Sequence, residues 1–116
     1  MERKQNYCNG LTERIHHIID KPYNYGLTVF EGKIAAFFYG SYIWQSKVSL
    51  DEREWTYICV TCNGDTIRLY INGLPADSAK YSKGTKNNSY DLGIGNSPLA
   101  THNVPFCGKI DMVRIY

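Results

Sequence analysis

The 116-residue chain contains no run of about 18 apolar residues, the minimum for a membrane-spanning helix. It has no block of charge of one sign. Its 13 Lys and Arg against 11 Asp and Glu leave a net charge of +2. That is too little for a nucleic-acid footprint or for attraction to an anionic membrane surface. The opening residues do not read as a secretory leader either. Met1-Glu2-Arg3-Lys4-Gln5-Asn6 has no apolar stretch behind its charges. The expectation is a chain not exported by that route, or a piece of a larger exported protein. Repeats, low-complexity tracts and linkers are missing, as are Gly-x-Ser-x-Gly, His-Glu-x-x-His and any phosphate loop.

What is present points to β structure. Hydrophobic residues at 43% and charged residues at 21% describe a globular chain, and its length fits one domain over 1–116. Aromatic residues reach 14%, with 10 tyrosines, which favours pleated, half-buried surfaces over a helix bundle. Eight stretches carry strand patterns between turn signals: 14–19, 25–30, 33–39, 42–50, 55–62, 66–72, 89–94 and 109–116. Glu31-Gly32, Gly40-Ser41, Asn63-Gly64 and Asn72-Gly73 supply turns. In 33–39 both faces are apolar. In 42–50, Tyr42, Trp44, Val48 and Leu50 share one face against Gln45, Lys47 and Ser49. In 66–72, Ile67, Leu69 and Ile71 face inward. The polar stretch Ala76–Asn88 reads as a surface connection. The fold class is all-β, an antiparallel sandwich of about eight strands.

The strongest motifs lie from residue 55 onward. Trp55-Thr56-Tyr57-Ile58-Cys59-Val60-Thr61-Cys62-Asn63-Gly64 leads into Ile67-Arg68-Leu69-Tyr70-Ile71-Asn72-Gly73. Leu92-Gly93-Ile94-Gly95 follows, and then Gly108-Lys109-Ile110-Asp111-Met112-Val113-Arg114-Ile115-Tyr116. These blocks, in this order and spacing, resemble the laminin G-like, concanavalin A-like jelly roll superfamily, which includes the pentraxins. The resemblance runs over about residues 24–116. It implies a jelly-roll sandwich. Members normally begin with about two further strands, so it also implies a shortened member, or a sheet completed by a partner chain or a second copy.

Calcium follows from the resemblance. Relatives hold Ca²⁺ with oxygens from the loop after Leu-x-Ile-Gly and from an early loop. Here the corresponding loop offers Asn96 without a carboxylate, and Asp20 stands in an early turn. Asn96 and Asp20 are therefore the metal candidates, against a plain polar loop. Glycan binding rests on residue types. Tyr39, Tyr42 and Trp44 surround one hairpin, and Asn96, Thr101 and Asn103 share one loop. Sugars need aromatic platforms plus amide and hydroxyl partners. The competing reading of Tyr42 and Trp44 is core or subunit packing.

Cysteine chemistry is limited by geometry. Cys59 and Cys62 are three apart in a strand, so they point to opposite faces and do not suit a shared bond or zinc. The resemblance to pentraxins implies a Cys8–Cys59 disulfide. Cys62 and Cys107 are expected as small buried apolar residues. His16-His17 is expected to be solvated or hydrogen-bonded. Asn87-Asn88-Ser89 is a glycosylation sequon that matters only in a secreted eukaryotic chain. Glycosidases of the superfamily use Glu-x-Asp-x-x-Glu, which this sequence lacks, so no catalytic residue is assigned. The expected role is a non-enzymatic module recognising glycan or protein at a cell or particle surface. The rival is a structural subunit of a virion, phage fibre or surface complex.

Overall fold

The computed structural model describes residues 15–38, 42–51, 53–81, 88–99, 105–106 and 108–115. These form eight strands: β1 (Ile15–Lys21), β2 (Tyr25–Phe30), β3 (Lys33–Phe38), β4 (Tyr42–Ser49), β5 (Ile58–Cys62), β6 (Thr66–Ile71), β7 (Leu74–Lys80) and β8 (Gly93–Ile94). One sheet has the order β4-β3-β2-β1-β8 and the other β5-β6-β7. Every ladder between named strands is antiparallel. The all-β sandwich expected from the sequence is what forms.

Two tight turns set the registers. Phe30 pairs with Lys33 across Glu31-Gly32, and Ile71 pairs with Leu74 across Asn72-Gly73. In both turns the two central residues have positive φ, the requirement of the turn that matches strand twist. Asn72 also anchors the chain entering β5. Its Oδ1 accepts from the Tyr57 amide at 3.0 Å, and its own amide donates to the Tyr57 carbonyl at 2.8 Å.

The alternation then decides the core. Ile67 and Leu69 are fully buried on the inner face of β6, with Arg68 exposed between them. Ala36 and Phe38 of β3 pack with Ile67, and the Phe38 ring stacks on Tyr81 at 5.2 Å. Val60 and Cys62 pack on the same cluster from β5. One edge of the sandwich is tied by a side chain: Asp77 Oδ2 on β7 accepts the Lys47 amide of β4 at 2.8 Å.

The outer face of the larger sheet is also largely covered. His17, Thr28 and Ala35 form a buried cross-strand row, and the Phe37 ring meets His17 edge-on at 6.2 Å. Phe37 lies over Gly26, its cross-strand partner. A Cβ built on Gly26 would collide with the Phe37 ring and stand 2.9 Å from the Ile19 carbonyl. Gly26→Ala is therefore expected to cost about 1–3 kcal/mol, measured as a lowered urea midpoint at unchanged slope.

Three sequence expectations need correction. Ala76–Asn88 was expected as a connection, yet Leu74–Lys80 is a strand. Its Pro, Asp, Ser and Lys suit an edge strand and mask the pattern. The stretch 89–94 gives a strand only at Gly93–Ile94. Before it, Asn88 Oδ1 takes the Tyr90 amide instead of a ladder partner. Residues 108–115 hold no strand. Met112 has φ of 54°, which breaks the extended course, and its amide donates to Asp111 Oδ1 at 2.8 Å.

Candidate functional site

The end of the larger sheet at the β1–β2 turn gathers the polar and aromatic groups best suited to a ligand. Lys21, Pro22, Tyr23 and Asn24 form a turn closed by the Asn24 amide donating to the Lys21 carbonyl at 3.0 Å. Pro22 supplies the fixed φ of the first central position, and Tyr23 takes φ of 62° at the second, where Gly or Asn is usual. A bulky residue there costs roughly 1–2 kcal/mol. The Tyr23 ring lies against Tyr90, with centroids 5.4 Å apart and planes tilted by 49°. The two rings remain 46% and 43% exposed, so together they make an open aromatic platform.

Residues 88–90 are strapped onto this turn. Asn88 Nδ2 donates to the Pro22 carbonyl at 2.9 Å. Lys21 Nζ donates to the Tyr90 carbonyl at 2.6 Å and to the Asn88 carbonyl at 3.5 Å. An ammonium has three donors, so these two bonds leave one.

The same turn and the strand before it carry two acceptors without partners among the described residues. Asp20 is 1% exposed and Asn24 is 2% exposed, and neither Asp20 Oδ2 nor Asn24 Oδ1 has a hydrogen-bond donor. A buried carboxylate oxygen left bare is costly, so it calls for a cation or a donor. Asp20 pairs with Gly93 of β8. A Cβ on Gly93 would collide with the Asn96 carbonyl oxygen, so that carbonyl folds back over the strand position opposite Asp20. These are hard oxygen donors of the kind calcium takes. Asn96 Oδ1 accepts the Ser97 amide at 2.8 Å, and its main-chain carbonyl is the oxygen that stands over Gly93. Among the described residues no cluster of three or more His, Cys, Asp or Glu exists, and Asp20 is the carboxylate at this position.

The other sequence candidates are spread out. Trp44 is half-buried and packs on the core cluster. Tyr42 opens β4. β4 and β8 are opposite edges of the sheet, four strand spacings or about 19 Å apart. Trp44 and Asn96 therefore do not share a site. Tyr39, Thr101 and Asn103 lie outside the described residues, as do Cys8, Cys107 and Asn87. Cys59 and Cys62 are unbonded thiols, with Cys62 on the core side of β5. His17 is buried against Phe37. His16 Nδ1 donates to the Pro105 carbonyl at 3.1 Å. Tyr23, Asn24 and Tyr90 were not singled out from sequence. The Lys-Pro-Tyr-Asn turn was the available signal, since an aromatic at the left-handed position of a turn is unusual.

The chain belongs to the concanavalin A-like lectin/glucanases superfamily, whose laminin G-type sequence profile matches residues 7–116. The match reaches further upstream than the motifs from residue 24 onward. No curated protein and no solved structure matched the chain.

Proposed function

We propose that the chain is a non-enzymatic binding module that recognises glycan or protein ligands at a cell or particle surface through its β1–β2 end. The observation that carries this reading is the exposed Tyr23–Tyr90 pair, held by a strained turn and strapped by Lys21 and Asn88. A pyranose has an apolar face that packs on such rings and a polar rim that takes the remaining ammonium donor. A glycan array with the full chain, with and without EDTA, is the test. Hits are expected, and blank arrays in both conditions would remove the glycan reading.

Calcium is proposed as the stabilising ion of this end, held by Asp20, Asn24 and the Asn96 carbonyl. One carboxylate places the affinity in the weak range of about 0.1–1 mM. At about 10 mM calcium such binding adds about 1.4–2.7 kcal/mol by mass action. The unfolding midpoint is expected to rise with calcium in the native chain and to stay fixed in Asp20→Asn. An equal rise in both would refute the assignment.

A second reading, assembly, has its own observation. Trp55 at 68% exposure, Tyr57 and Leu74 leave an apolar rim at one end of the smaller sheet. Light scattering on a size-exclusion column decides it: a dimer or larger species broken by Trp55→Ser supports assembly, and a clean monomer counts against it.

A further inference from the structure

The smaller sheet carries a second feature, remote from the β1–β2 end in the chain and built by a register break. Leu69 pairs with Asp77 but Tyr70 pairs with Pro75, so Ala76 is an extra residue on β7. The bulge opens a groove of about 300 Å³ lined by Arg68, Tyr70, Pro75, Ala76 and Ser78, among others. Bulges re-aim side chains and recur beside binding sites.

The outer face here is basic and rich in hydroxyls. Thr61, Arg68 and Ser78 form one cross-strand row, all exposed. Thr66 and Lys80 form the next row on that face. Arg68 has no ion-pair or hydrogen-bond partner among the described residues. The groove's own acid does not neutralise it. Asp77 Oδ2 accepts the Lys47 amide across the sandwich edge, and Oδ1 accepts the Ser78 amide, each at 2.8 Å. An uncompensated guanidinium thus stands beside a half-buried tyrosine and a proline.

We infer that this groove binds an acidic pyranoside, a sugar ring bearing a carboxylate. The guanidinium fork pairs with a carboxylate through two parallel hydrogen bonds, which an ammonium does not reproduce. Tyr70 and Pro75 offer an apolar floor to the C–H face of the ring. The Ser78 hydroxyl meets a ring hydroxyl, and Lys80 adds attraction at longer range. The volume sits at the lower end of small-ligand sites, which fits a single ring.

The test is a titration of the isotope-labelled full chain with methyl β-glucuronide and, separately, methyl β-glucoside, which differ only by carboxylate against hydroxymethyl. Saturable amide shifts at residues 68–70 and 75–78 are expected with the glucuronide. The glucoside is expected to bind at least about tenfold more weakly. Arg68→Gln should remove that difference, while any shifts at amides 23–24 and 88–90 should be unaltered by Arg68→Gln, which separates this groove from the β1–β2 end. Equal binding of the two sugars, no shift at those amides, or an unaltered affinity in Arg68→Gln would each overturn the inference. So would tighter binding of tetraglutamate than of the glucuronide, since the groove would then be reading charge alone.

Discussion

Leu69→Ala is expected to destabilise the domain by about 2–5 kcal/mol. Leu69 is fully buried at the middle of β6, paired with Val60 on one side and Asp77 on the other. It lies in the layer between the two sheets, where the truncation leaves a cavity that both faces must collapse to fill. A domain of this size has about 5–15 kcal/mol in total, so the loss is a large part of the margin. Urea unfolding followed by tyrosine and tryptophan fluorescence measures it. Leu74→Ala is the matched control, because Leu74 is exposed on the edge strand and its truncation is expected to fall within about 0.5 kcal/mol. Similar losses at the two positions would contradict the placement of the core.

Tyr23→Gly separates binding from stability. Glycine relieves the positive φ, which returns roughly 1–2 kcal/mol, while loss of the ring contact with Tyr90 removes about 0.5–1.5 kcal/mol. The two nearly cancel, so the unfolding midpoint is expected to move little. Glycan affinity is expected to fall at least about tenfold, because half of the platform is gone. A variant that unfolds readily would show instead that the Tyr23 ring is a structural brace.

The sequence made legible what periodicity and turn chemistry encode. β4 and β6 alternate with period two because each buries one face, and a register slip would expose the whole apolar set. Asn72-Gly73 and Glu31-Gly32 were readable because their turn type demands positive φ at both positions. β7 was not readable: its Pro, Asp and Ser sit on an edge, and Asp77 is held by a β4 amide that no local pattern reports. The candidate site was half readable. Asp20 and Asn96 were picked, and the fold brings the Asn96 carbonyl over the strand opposite Asp20. Asn24 was missed because an asparagine in a turn reads as solvated, and only the tertiary fold buries it. Tyr23 and Tyr90 meet through strapping bonds between segments far apart in the chain. Trp44 has the composition of a platform and the location of a core residue, a distinction that only packing makes.

The most direct measurement of the central claim is a glycan array run side by side with the native chain and with the Tyr23→Gly, Tyr90→Ala double variant, both shown folded by their unfolding midpoints. The platform account predicts glycans bound by the native chain and lost by the variant. Glycans retained at full strength by the folded variant would contradict it.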